Sequence, residues 1–232
     1  EQIEKLLCDY ANDANRDHMV MPGMAYLSQP TEYGTLYSRA ELTQISSVCR
    51  AHHILLYIDG ARLAYALACP ENDVSLADLA ALCDAFYIGG TKCGALFGEA
   101  VVLPRPGLIP HFFTIIKQHG ALLAKGRLLG IQFDTLFTDG LYEKLGAPAM
   151  AAADHIRAAL RECGYTLCCD SPTNQVFCIL DNDTMARLAQ KVDFGFWEKY
   201  DDTHTIVRFA TSWATDMDDV KLLKDALRDA RQ

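Results

Sequence analysis

The chain has 232 residues, half of them apolar, enough to bury a substantial core in one or two domains. Its formal net charge of -9 and its acidic balance exclude the Lys- and Arg-rich surface that nucleic acid or an anionic membrane demands. Every apolar run is broken by charge, as by Glu99 and Arg105 in the longest, so no segment reads as a membrane span.

In chain order, Ile3, Leu6, Leu7 and Tyr10 follow helical spacing from the first residues onward. Met24 to Ser28 reads as a strand, followed by a polar turn through Pro30 and Gly34. Ser38 and Glu41 form a capping box ahead of a helix that reaches about His52. Ile54 to Ile58 is a continuous apolar run, as in a strand buried on both faces, and Asp59 stands at its carboxyl end. A short helix carries Leu63 and Leu67, Ser75 and Asp78 open another, and Ala85 to Ile88 is the next buried strand. Lys92 follows it in Gly89-Gly90-Thr91-Lys92, and Ala95 to Leu103 reads as a further strand. Pro110 to Phe137 is expected to be mainly helical, and Leu141 to Cys163 a second, alanine-rich helix. Strands at Tyr165 to Cys168, Val176 to Leu180 and Ile206 to Ala210 then alternate with helices.

This order describes an α/β domain with a mostly parallel sheet, residues 1–137, and a small C-terminal α+β domain, residues 138–232. No linker rich in Pro, Gly or Ser separates them. The nine cysteines are scattered without Cys-x-x-Cys spacing and read as reduced thiols of a cytoplasmic protein. The sequon at Asn182-Asp183-Thr184 reads as incidental, and the histidines lack the spacing of a metal site.

Ligands of open α/β sheets bind beyond the carboxyl ends of strands, where Asp59 and Lys92 both fall. Alone, Asp-Gly after a strand is usually a turn and a lysine is usually solvated. Together, a carboxylate and an amine at neighbouring strand ends suit the two ends of an aromatic aldehyde cofactor, pyridoxal 5'-phosphate (PLP). Arg62, three residues after Asp59, reaches toward the same pocket for an anionic group.

The segments Tyr57-Ile58-Asp59-Gly60-Ala61-Arg62-Leu63 and Asp84-Ala85-Phe86-Tyr87-Ile88-Gly89-Gly90-Thr91-Lys92-Cys93-Gly94-Ala95 resemble the PLP-dependent fold type I enzymes, within them the threonine aldolase and β-eliminating lyase branch. Weaker likenesses in family order are Ser28-Gln29-Pro30-Thr31-Glu32, Ser171-Pro172-Thr173-Asn174-Gln175-Val176 and Val207-Arg208-Phe209-Ala210-Thr211-Ser212-Trp213. The resemblance implies that Lys92 forms the imine with PLP and Asp59 faces the pyridine nitrogen. It implies that Arg62 lies near cofactor and substrate carboxylate, that Arg208 grips the α-carboxylate, and that Thr91 donates to the cofactor phosphate. Lys125 and Arg127 would serve a neighbouring subunit's site, or form a solvated helix face. The implied activity is cleavage of threonine to glycine and acetaldehyde by a homo-oligomer acting on a small amino acid. β-Elimination, transamination and a catalytically incomplete fragment are the alternatives. The glycine-rich phosphate loop and ring-stacking residue of the family have no counterpart here, so the N-terminal third of a full-length member is expected to be missing.

Overall fold

The computed structural model describes residues 1–231. Its first sheet has the order β1-β2-β3-β4, from β1 (Met24–Ser28), β2 (Leu55–Gly60), β3 (Ala85–Gly89) and β4 (Glu99–Val102). The first three strands run parallel and β4 is antiparallel to β3. Helices α1 (Gln2–Asn12), α2 (Arg39–Ala51), α3 (Leu63–Leu67) and α4 (Leu76–Leu82) are interleaved with them. Both expected capping boxes form: Ser38 and Glu41 exchange side-chain and backbone bonds at the start of α2, as do Ser75 and Asp78 at α4. Leu42, Leu56, Ile58, Leu63 and Phe86 are buried in the core beneath this sheet. Each such side chain contributes roughly 1.5–3 kcal/mol through loss of water contact.

Three expectations are corrected by turns. The strand expected over Ala95 to Leu103 is confined to β4, because Gly94 and Gly98 take positive φ angles of 99° and 87°. The intervening Leu96 and Phe97 N–H groups donate to Gln132 Oε1 rather than to a strand. The helical stretch from Pro110 to Phe137 is two helices, α5 (Phe112–Gln118) and α6 (Arg127–Phe137), parted after Gly120 at φ 66°. Leu141 to Cys163 likewise divides into α7 (Leu141–Lys144) and α8 (Gly146–Glu162).

The second sheet, order β5-β6-β8-β7, is wholly antiparallel. It contains β5 (Thr166–Leu167), β6 (Gln175–Asp181), β7 (Gly195–Lys199) and β8 (His204–Ala210), with α9 (Asn182–Leu188) and α10 (Met217–Ala230). The sequence reading did not include β7; it is an outer strand with Phe196, Glu198 and Lys199 exposed, so little apolar alternation marks it. Helix α8 serves both cores. Ala149 and Met150 pack with the first, whereas Ala152, Ala153, Ile156 and Leu160 pack with the second. No helix among the described residues is long and apolar enough to cross a membrane.

Candidate active site

Parallel pairing places Ser28 beside Asp59 and Asp59 beside Tyr87, so three strand ends converge on one carboxylate. Side chains two apart on a strand share a face, which puts Tyr57 and Asp59 with Tyr26 and Tyr87 on that face. The Tyr26 and Tyr57 rings stack at 5.3 Å between centroids. The Tyr26 hydroxyl donates to Asp59 Oδ2, and the Ala61 N–H donates to Oδ1 at 2.9 Å.

Burial alone would raise the Asp59 pKa, but hydrogen bonds from Tyr26, Tyr87 and Ala61 together with the Lys92 charge more than offset it, and the carboxyl lies below its ordinary value. Asp59 is therefore ionised at neutral pH. The same bond to Asp59 is the main reason the Tyr26 phenol is pushed up to about 12.

The next strand delivers Lys92 through a tight crossing. A Cβ on Gly60 would lie 2.1 Å from the Tyr87 carbonyl oxygen, and one on Gly89 would lie 2.2 Å from that of Ala61. Only glycine permits the β2 and β3 ends to approach so closely. Below the turn, Tyr142 donates its hydroxyl to the Gly89 carbonyl at 2.8 Å and accepts from the Ala64 N–H at 3.2 Å. Tyr65 donates to the Lys92 carbonyl, fixing the backbone from which the amine projects. Lys92 reaches solvent, yet partial desolvation and then the neighbouring Arg62 charge lower its pKa against the opposing pull of Glu32, Asp59 and Glu99. A lowered amine has a larger neutral, nucleophilic fraction.

Arg62, at the start of α3, is lowered first by burial and then by the charge of Arg208, while Glu32 acts in the opposite direction. The Arg208 charge, carried on β8 of the second sheet, is thus felt at Arg62, and the Arg62 charge at Lys92. Two like charges brought together with partial burial form a natural seat for a carboxylate. The Thr91 hydroxyl donates to Glu99 Oε1 at 2.9 Å, and the other Glu99 oxygen accepts the Gly90 N–H at 2.5 Å. Lys125 and Arg127 are exposed at the start of α6 and join none of these contacts.

Asp59, Lys92, Arg62 and Arg208 are therefore brought together. Sequence reasoning missed Tyr26, Tyr87, Glu32 and Glu99 as their neighbours. The Tyr57-x-Asp59 alternation gave the signal for one face, but the partners depend on register between strands. The donor set suits a pyridoxal group: one amine for an aldehyde, one ionised carboxylate for a protonated ring nitrogen, and an arginine pair for an acid substituent.

The sequence model of the beta-eliminating lyases matches residues 2–190. The chain belongs to the beta-eliminating lyase family. A curated relative, the low specificity L-threonine aldolase of Pseudomonas aeruginosa, is 30% identical over 219 residues, covering 91% of this chain and 60% of its own length. The chain thus spans about 60% of the length of the curated relatives it matches. Among solved structures, Leishmania major threonine aldolase is 43% identical with a TM-score of 0.92, over 99% of this beta-eliminating lyase chain and 66% of its own. Serine palmitoyltransferase of Sphingomonas wittichii shares the fold at 13% identity and a TM-score of 0.66, over 93% of this chain and 57% of its own. The architecture is that of the PLP-dependent fold type I enzymes, as the sequence motifs implied.

Proposed function

We propose that the chain is part of a PLP-dependent carbon-carbon lyase that cleaves β-hydroxy amino acids, with threonine giving glycine and acetaldehyde. The observation that carries this reading is the convergence of a lowered Lys92 amine and a lowered Asp59 carboxyl at adjacent strand ends, beside the Arg62 and Arg208 pair. The threonine aldolases of Pseudomonas aeruginosa and Leishmania major support the substrate class, and a PLP-bound relative in fold from Clostridium difficile supports the cofactor.

When bound, PLP supplies an aromatic ring that accepts the electron pair released at the substrate Cα. Lys92 Nζ would hold the cofactor through its aldehyde carbon, its lowered pKa giving the neutral amine that this requires. Asp59, ionised and braced by Tyr26, keeps the proton on the ring nitrogen. Arg208 and Arg62 would bind the substrate carboxylate and so fix the orientation of the substrate at Cα. Thr91 is assigned to the cofactor phosphate, to which its hydroxyl would turn from Glu99. We assign cofactor binding to a large domain of residues 1–137, which also supplies Arg62 to the carboxylate, and Arg208 to a small C-terminal domain of residues 138–232.

A homo-oligomer is proposed as well, supported by the exposed Leu122, Leu123, Leu128 and Ile131 around α6. Lys125 and Arg127 on that surface would then serve the neighbouring subunit's site. The nine free cysteines support a cytoplasmic setting.

Incubation of the PLP-loaded protein with threonine tests the reaction, with acetaldehyde followed by its reduction and glycine by amino-acid analysis. Equimolar glycine and acetaldehyde support the aldolase. The family match also includes β-elimination, for which ammonia and a keto acid without glycine would be the products.

A further inference from the structure

We propose that Gln175 is the positioning residue that sets the orientation in which Arg208 presents its guanidinium to the substrate, with the face of Trp197 as a second constraint. This rests on the assignment of Arg208 to the carboxylate. Gln175 is completely buried at the start of β6. In the antiparallel register it pairs with Ala210 and Arg208 pairs with Phe177, so Gln175 and Arg208 are diagonal neighbours on one face of the sheet. Arg208 Nη1 donates to Gln175 Oε1 at 3.1 Å, and Gln175 Nε2 donates to the Glu32 carbonyl at 3.3 Å.

The chemistry allows one orientation of this amide. Arginine only donates and a backbone carbonyl only accepts, so a flipped carboxamide would oppose donor to donor and acceptor to acceptor. Gln175 consequently ties the guanidinium of the second sheet to the loop after β1. That loop is anchored further, since the Thr173 hydroxyl donates to the Gly34 carbonyl at 2.7 Å. Buried Arg157 holds the same segment by donating to the Ser171 and Thr173 carbonyls at 3.0 and 2.8 Å.

The second constraint comes from the irregularity in β7. Phe196 pairs with Val207 but Glu198 with Ile206, leaving Trp197 as the extra residue of a bulge. Its ring lies 5.3 Å from the Arg208 guanidinium carbon and is itself packed edge-on against Phe177 and Tyr33, at 5.0 and 5.3 Å. The guanidinium is thereby held at one edge by Gln175 and on one face by Trp197. The Nε and Nη2 protons remain for a planar, bidentate carboxylate bond.

Gln175→Met, which keeps length and removes the acceptor, is expected to raise the KM for threonine about tenfold with kcat changed less than about twofold, in proportion to one bond to a charged group. Gln175→Glu keeps the shape but pairs ionically with Arg208 and competes with substrate, so its KM rises further still. The spectrum of bound PLP stays unchanged in both. In a Trp213→Phe background Trp197 is the remaining tryptophan, and its fluorescence should respond to glycine more weakly in both variants. Trp197→Leu should raise KM in the same direction, giving a test that does not depend on folding around a buried charge. Arg208→Met separates the two ideas. Unchanged KM in that variant overturns the assignment of Arg208 itself. Raised KM there, with KM unchanged in the Gln175 and Trp197 variants, overturns the positioning role alone.

Discussion

Tyr26 donates its hydroxyl to the Asp59 carboxylate from the neighbouring parallel strand, so the charge at the end of β2 is set by a residue 33 positions earlier. Tyr26→Phe removes that donor and leaves Asp59 easier to protonate. We expect affinity for PLP to fall by roughly fivefold, the worth of about 1 kcal/mol for one hydrogen bond. Equilibrium titration of the cofactor measures it.

The same pair gives a pH dependence with a definite sign. The Asp59 pKa is lower in the folded chain than its ordinary 3.8, so the unfolded chain takes up the proton more readily. The stability contributed by this carboxylate is full above the unfolded value and is lost as the pH falls through the folded one. The difference in urea midpoint between wild type and Tyr26→Phe should therefore be largest near neutrality and close in acid.

Gly89→Ala tests whether the strand-end crossing needs a bare backbone. The added Cβ would fall 2.2 Å from the Ala61 carbonyl oxygen, which cannot move without shifting the β2 end. A loss of about 1–3 kcal/mol is expected, as for overpacking elsewhere in protein cores, measured by urea unfolding.

Tyr142→Phe removes the hydroxyl that satisfies both the Gly89 carbonyl and the Ala64 N–H in a buried setting. Leaving such groups unpaired costs about 1–3 kcal/mol. Because the turn it supports carries Lys92, covalent capture of PLP should also slow, which stopped-flow absorbance records.

Asp59 and Lys92 were legible in the sequence because strand ends are marked locally, by an apolar run followed by glycine. The capping boxes of α2 and α4 were legible for the same reason, being patterns four residues long. Tyr26 was not, because its meeting with Asp59 depends on strand pairing across 33 residues, which no local pattern encodes. Trp197 was hidden twice: β7 is a solvent-facing strand with weak alternation, and its bulge displaces the pairing. Gln175 read as part of a weak motif, since the value of a buried amide depends on the Arg208 and Glu32 groups it joins.

The most direct test of the account is reduction of the PLP-loaded protein with borohydride, followed by digestion and mass spectrometry of the lysine-containing peptides. The cofactor should be found fixed on Lys92, and Lys92→Ala should retain none of it. Fixation on another lysine in the wild-type protein, or none at all, would contradict it.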